Sequence, residues 1–508
     1  MNFSKKHLYY IGAPVLLILI ILGAYLLWPK PVRVALVNMP DFVASRMAAA
    51  TDKKNVRLAA VTELSELKNY DAMIAFGMGL KWTDEDRALI KQLGEERGLK
   101  YLAYMTTTPE NNISNLDSLQ QETLVSYLAN GGTSNYRSAF NYIRKEVLGK
   151  SLRTGTIEEP IEYGYDLLFT DEDPDLAFDS VESFQKFYNE HGYKEGAPRI
   201  ALFTGIAGPF GSSRDYLDEL IGALEDSGFN VYPISAMTRR LEFLSEIKPQ
   251  AVIYFAHGRF GGDPAIAWLK EHNVPIFSPL LVSELYDDWI KDKQGMWGGY
   301  LSQTVVTPEI DGTILPFALV TLRENKQGFK EFHTIPERLP DFCSLLHRYV
   351  KLQTMNNADK RIALFYFKGP GQNSLVAQGI EVVPSLYNVL KYLQSQGYDL
   401  TGLPDTEEAF AKDLMSRGAL YNNYAEGNKQ MMLHSNYPAF VSTKELTQWI
   451  DDTFPPAIKD SIETRYGAIP GHDFVLERDG VEGIAVTRLT YGKVALLPQP
   501  GTGSGDLD

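Results

Sequence analysis

The stretch AVIYFAHGRFGG, Ala251–Gly262, sets a histidine and an arginine two residues apart directly after an apolar run. An imidazole can ligate a metal or carry a proton near neutral pH, and a guanidinium can grip a carboxylate through parallel N–H bonds. His257 and Arg259 stand among three glycines, and DPAIAWLKEH follows with the spacing of a helix. A strand, a glycine turn and a helix place such groups at the carboxyl end of a strand, where open α/β sheets bind ligands. A solvated polar turn is the plain alternative.

A second strand-to-helix junction, GIAGPFGSS from Gly205 to Ser213, leads into Arg214. Backbone N–H groups at a helix start can hold a phosphate or carboxylate, and Arg214 would strengthen such a site if it faces the loop. The stretch has neither the Gly-Lys-Ser/Thr of a P-loop nor a G-x-G-x-x-G spacing, so nucleotide binding has little support and a plain turn is favoured. The other histidines form no H-x-x-x-H or H-E-x-x-H pair, which argues against a preformed zinc site. No G-x-S-x-G elbow supplies a hydrolase nucleophile. Arg239–Arg240, the Tyr-rich YNNYAEGNKQ (Tyr421–Gln430) and the acidic TDEDPD (Thr170–Asp175) read most simply as surface.

The elements that must position these groups repeat along the chain. VRVALV (Val32–Val37), VRLAAV (Val56–Val61), DAMIAFG (Asp71–Gly77) and KYLAYM (Lys100–Met105) read as short buried strands. Helical stretches separate them, including one capped by Thr83 and ended by Gly98. RIALFTG from Arg199 opens a second α/β unit that contains AVIYFA and VPIFSPL, and RIALFYF from Arg361 opens a third. GIAVTRLTYGKVALLPQP reads as a hairpin around Tyr491–Gly492. The fold class is therefore α/β: several consecutive Rossmann-like units with mostly parallel sheets, preceded by one transmembrane helix. The domain limits are 1–30 for a membrane anchor, 31–195 for a first α/β domain with a helical extension, 196–355 for a second, and 356–508 for a third region cut short at its C-terminal end.

With 508 residues, 44% hydrophobic and 22% charged, the chain is long enough for several cores. Its formal net charge of −15 repels phosphate backbones, which excludes nucleic acid as a natural partner. The single cysteine, Cys343, rules out an intrachain disulfide and any cysteine-built metal cluster. Leu8 to Trp28 is a run of 21 uncharged residues, enough to cross a hydrocarbon core of ~30 Å, with aromatics near both ends. Lys5 and Lys6 before it favour a single-pass anchor in a bacterial inner membrane with the body in the periplasm.

Several segments in order resemble the large subunit of class I tetrapyrrole chelatases, the family of the cobaltochelatase CobN protein and the porphyrin-binding H protein of magnesium chelatase. They are YLANGGTSNYRSAFNYI (Tyr127–Ile143), APRIALFTG with ALEDSGFNVYPI, TPEIDGTILPF (Thr307–Phe317), Lys360–Leu400 with its core at Gly379 to Ser385, and YGKVALLPQP. The resemblance covers roughly residues 32–500 and implies an N-terminal portion of a longer protein. With the apolar run, it is most similar to the membrane-anchored haem-uptake HmuS type.

The resemblance implies a metallotetrapyrrole substrate, haem or another, and metal exchange: iron removal from haem, or cobalt or magnesium insertion. It also implies partners, either AAA+ ATPase subunits that would supply ATP hydrolysis or components of a haem transporter. Local chemistry then offers His257 as axial ligand or proton carrier, and Arg259 and Arg214 for the macrocycle's carboxylates. Two rival readings are a non-enzymatic haem- or cobalamin-binding module and a periplasmic receptor for some other solute.

Overall fold

The computed structural model describes residues 30–205, 208–366, 376–377, 379–416, 439–468 and 475–498. The apolar run 8–28, the Tyr-rich 421–430 and the C-terminal tail lie outside the described residues. Among the described residues no helix is long and apolar enough to cross a membrane. The chain divides into two compact units, Met1–Val350 and Lys351–Asp508. The first two expected domains thus share one unit.

The first sheet contains β1 (Val32–Val37), β2 (Val56–Val61), β3 (Ala72–Phe76) and β4 (Lys100–Tyr104), in the order β2-β1-β3-β4 and all parallel. Side chains alternate between its faces. Val32, Val34 and Leu36 meet the helices Asp41–Ala50, Ser118–Asn130 and Thr133–Tyr142. Ala35 and Val37 meet Ile90 and Leu93 of the helix Asp84–Arg97. That helix starts at a Thr83–Asp86 capping box and stops at Gly98, whose φ of 70° only glycine adopts freely.

The second sheet has seven strands. They are β5 (Leu167–Phe169), β6 (Ala177–Phe178), β7 (Arg199–Phe203), β8 (Asn230–Ser235), β9 (Ala251–Tyr254), β10 (Ile276–Phe277) and, after the intervening β11 (Leu280–Leu285), β12 (Thr313–Ile314). Their order is β12-β10-β9-β7-β8-β5-β6. The five strands from β12 to β8 run parallel, while β5 pairs antiparallel with β8 and β6 with β5. The chain therefore enters this sheet at Leu167, upstream of the boundary at 195 suggested by the sequence. Ile200, Leu202 and Ile253 face Leu217, Leu220 and Phe342, and Ala201, Phe203 and Val252 face Phe243, Leu244 and Leu269. A small third sheet, β11-β13-β14, adds β13 (Ala318–Glu324) and the edge strand β14 (Lys330–Thr334), antiparallel to each other.

Backbone bonds tie the first two sheets together. Gly132 N–H donates to Phe210 C=O (2.7 Å), Ser213 N–H to Phe42 C=O (2.8 Å), and the Tyr136 hydroxyl to Gly211 C=O (2.9 Å). Asp175 accepts from the N–H groups of Thr133 and Ser134, capping the helix that carries Tyr136.

The second unit departs from the expected parallel plan. β15 (Ile362–Tyr366) is parallel to the strand Val494–Pro498, which pairs antiparallel with Leu489–Tyr491 at the anticipated hairpin. Strands Ala439–Ser442, Val481–Val486 and Val475–Arg478 form, in that order, a three-stranded antiparallel sheet. Its hairpin turns on Asp479–Gly480, both at positive φ (54° and 75°), as a two-residue turn requires. The Gly/Pro loop before Val376 lies outside the described residues.

At the exit of β8, one carboxylate fixes the loop. Asp166 accepts from the N–H of Met237 (2.7 Å), Thr238 (2.8 Å) and Arg239 (3.2 Å) and from the Thr238 hydroxyl (2.5 Å). Burial alone would raise its pKa, but these bonds outweigh burial and hold it below the usual carboxylate range. A depressed folded-state value gives stability that is complete above the ordinary pKa near ~4 and is lost as pH falls through the folded value. Asp166→Asn is therefore expected to lower the urea midpoint at pH 7, by about 1–2 kcal/mol in stability, with the gap to wild type closing towards pH ~3. A gap independent of pH would contradict this role.

Candidate functional site

From β7 the chain steps to β8 on one side and then crosses to β9 on the other. The connection from β7 runs to one side and that from β9 to the other, which makes the carboxyl ends of these strands the sheet's topological switch point, the place where open α/β sheets form a ligand crevice. Gly205 leaves β7 so close to β9 that a Cβ there would stand 3.3 Å from the Phe255 carbonyl. The turn His257–Gly258–Arg259 leaves β9 on the other lip. His257 and Arg259 are exposed, whereas Phe255, Gly258 and Phe260 are buried.

A buried acid holds this turn in place. The Asp311 carboxylate, fully enclosed, accepts from the Phe260 N–H (2.6 Å) and from Arg259 Nε. Gly258 N–H donates to the Gln303 carbonyl (2.7 Å), and its φ of 92° calls for glycine, where a Cβ would in addition lie 3.3 Å from Gln303 Oε1. From behind, the Arg240 guanidinium lies over the rings of Tyr254 and Phe260 at 5.0 and 5.2 Å.

The segment that grips the turn is irregular. Gly298–Leu301 is α-helical, Ser302–Val306 is a π turn, and Thr307–Glu309 returns to α. π turns of this kind recur at functional sites, where they re-aim side chains. Here the segment leaves Val306 51% and Ile310 68% exposed. Two exposed apolar side chains therefore stand on the stretch that also supplies Gln303 and Asp311 to the turn. Burial raises the pKa of Tyr300 on this segment, so its phenol stays neutral.

Arg214 has a different setting. It is 1% exposed, and its Nε and Nη2 donate to Asp218 while Nη2 also meets the Thr170 carbonyl (2.5 Å). Its guanidinium stacks over Phe169 at 5.1 Å, and its Nη1 is buried with no hydrogen-bond partner. Burial pushes the Asp218 carboxyl up even though Arg214 pulls it down. The structure thus brings His257 and Arg259 together and gives Arg214 its own buried pair with Asp218. In the Gly205–Ser213 stretch, Phe210 stacks on Tyr163 at 3.9 Å, and Ser212 bonds back to Gly208, so much of this loop serves packing. Arg239, read as surface, pairs with Glu242.

Sequence reasoning missed Asp311 as the organiser of the turn. The signal was present in TPEIDG, where an acid between an exposed isoleucine and a glycine directly precedes β12.

The chain as a whole is similar to known proteins. A family model described as CobN/Magnesium Chelatase matches residues 125–508. The chain is 24% identical over 348 residues to the H-type magnesium-chelatase protein of Chlorobaculum parvum, covering 64% of this chain and 25% of that protein. It is 23% identical over 320 residues to the aerobic cobaltochelatase protein CobN of Pseudomonas aeruginosa, covering 60% and 25% respectively. Its fold is similar to that of the catalytic subunit of cobaltochelatase from Mycobacterium tuberculosis, with a TM-score of 0.68 and 21% identity over 93% of this chain and 39% of that one. The chain spans 26% and 32% of the length of two uncharacterised Methanocaldococcus jannaschii relatives that it matches. With the family model covering most of its length, the chain belongs to the CobN/magnesium chelatase family.

Proposed function

We propose that this chain binds a tetrapyrrole at the β7/β9 crevice and takes part in metal exchange at the macrocycle. The observation that carries the reading is the His257–Arg259 turn, clamped beside an exposed apolar segment, in a member of the CobN/magnesium chelatase family. Entry of a divalent metal into a free macrocycle releases two pyrrole N–H protons, and its removal takes two up. Either direction needs a proton carrier beside the ring, and the exposed His257 imidazole is placed to fill that role. The Arg259 guanidinium, held on Asp311 through Nε, has its remaining donors for a substituent carboxylate. Arg214, enclosed and paired with Asp218, offers the macrocycle no accessible donor, so the carboxylate contact rests on Arg259.

Metal insertion is the direction that the names of the cobaltochelatase and magnesium-chelatase relatives support. Iron removal from haem, with the run Leu8–Trp28 as membrane anchor and the body in the periplasm, is the finer form of the proposal and rests on the sequence resemblance. ATP-hydrolysing partner subunits and haem-transport components belong to the same proposal.

Titrating the full chain with haem, with metal-free protoporphyrin and with a corrin precursor, while following the Soret or corrin bands, tests the reading. Saturable binding of one of them is expected, with a changed spectrum or at least tenfold weaker binding in His257→Ala. No binding of any tetrapyrrole would overturn it, and binding without any metal exchange would favour a carrier module. Asp311→Asn removes the charge that holds the turn. It is expected to cost about 1–3 kcal/mol of stability and to weaken tetrapyrrole binding about tenfold with His257 intact. Unchanged affinity in a folded Asp311→Asn protein would show that the turn's geometry does not matter.

A further inference from the structure

Away from the crevice, the helix Asp215–Asp226 faces the edge strand β14, and their periodicities converge. Asp215 and Glu219 lie one turn apart on the same side of the helix, and Glu331 and His333 alternate onto one side of the strand. Donor atoms of Asp215, Glu331 and His333 all lie within 4.8 Å of one another. His333 Nδ1 is 2.9 Å from Glu219 Oε1, which leaves its Nε2 facing Glu331 Oε2 at 3.6 Å.

Two of the three groups are held by neighbours. Glu219 accepts from the Thr334 N–H (2.8 Å) and the Thr334 hydroxyl, so the carboxylate that orients the imidazole is itself fixed. Glu331 accepts from Asn325 Nδ2 (2.6 Å) and from the Ser45 hydroxyl on the helix Asp41–Ala50. A carboxylate on one imidazole nitrogen, with the other nitrogen facing a second acid, is the arrangement that presents a histidine to a metal. Three carboxylates gathered around one imidazole also leave a surplus of negative charge, which a dication offsets.

We infer that Asp215, Glu331 and His333 form a binding site for a first-row divalent transition metal, with Glu219 as the residue that orients His333. An imidazole with two carboxylates suits Zn²⁺, Co²⁺ or Fe²⁺, whereas Mg²⁺ and Ca²⁺ favour all-oxygen sets. Three protein ligands, with Asp215 exposed, leave positions for water and allow the ion to exchange. Local spacing in the sequence gave no metal motif, because the ligands come from two elements far apart in the chain. If the proposed metal exchange holds, this site is a place for the cargo ion to dwell. The site itself does not depend on that reading.

The test is a Co²⁺ titration of the metal-stripped full chain, read by the visible d–d bands and by Zn²⁺ competition, with no tetrapyrrole present. One equivalent is expected to bind and to be displaced by Zn²⁺. His333→Ala and the shape-preserving Glu331→Gln should each weaken binding at least tenfold. Glu219→Gln, which touches no metal, should weaken it about tenfold. Failure of the wild-type chain to bind, or unchanged Co²⁺ affinity in Glu331→Gln with an unchanged circular dichroism spectrum, overturns the assignment. The Soret titration reads the crevice separately, so either site can fail alone.

Discussion

The crevice depends on one buried charge. Asp311 has no exposed side-chain surface, and a carboxylate withdrawn from water must find hydrogen-bond donors inside the protein. It finds the Phe260 N–H and the Arg259 guanidinium, both across from it on the turn after β9. Satisfying Asp311 therefore fixes where the turn lies and leaves His257 outside with no role in the packing beneath it. Gly258 is a consequence of the same constraint, since the turn must approach Gln303 closely at positive φ.

The rest of the first unit serves that placement. Parallel strands packed on both faces make the second sheet stiff, and the reversal between β8 and β9 opens its carboxyl edge at the centre. Asp166 likewise fixes the exit from β8 with a carboxylate, there by gathering three backbone N–H groups. The irregular Gly298–Glu309 segment then supplies apolar surface that a regular helix would have turned inward or spaced differently. A planar apolar ligand with carboxylate substituents matches this combination of surfaces.

Elements governed by local rules were legible in the sequence. The four strands of the first sheet, the Thr83–Gly98 helix and the Tyr491–Gly492 hairpin all stand where alternation, capping and turn chemistry put them. The pentapeptide Arg-Ile-Ala-Leu-Phe shows the limit. In β7 it is central and Phe203 is fully buried, but in β15 it lies at the edge of a three-stranded sheet and Phe365 is 67% exposed. Identical residues could not announce which strands would flank them, so the third region was read as another parallel unit when much of it is antiparallel. The Asp479–Gly480 turn was a usable sign that went unread. Of the candidate site, His257 and Arg259 were visible from their place after a strand, and the grip of Asp311 on them was not. The Arg214–Asp218 pair sits one helical turn apart, yet only burial shows that it turns inward. Glu331 and His333 looked like ordinary alternation on a strand until the helix opposite brought Asp215 and Glu219 to them.

Hydrogen–deuterium exchange of the full chain, with and without the tetrapyrrole that binds it, tests the central claim most directly. Ligand should slow amide exchange in residues 255–262 and 298–311 together, because Asp311 and Gln303 couple these two segments. Protection confined to other parts of the chain would place the macrocycle elsewhere and contradict the crevice as its site.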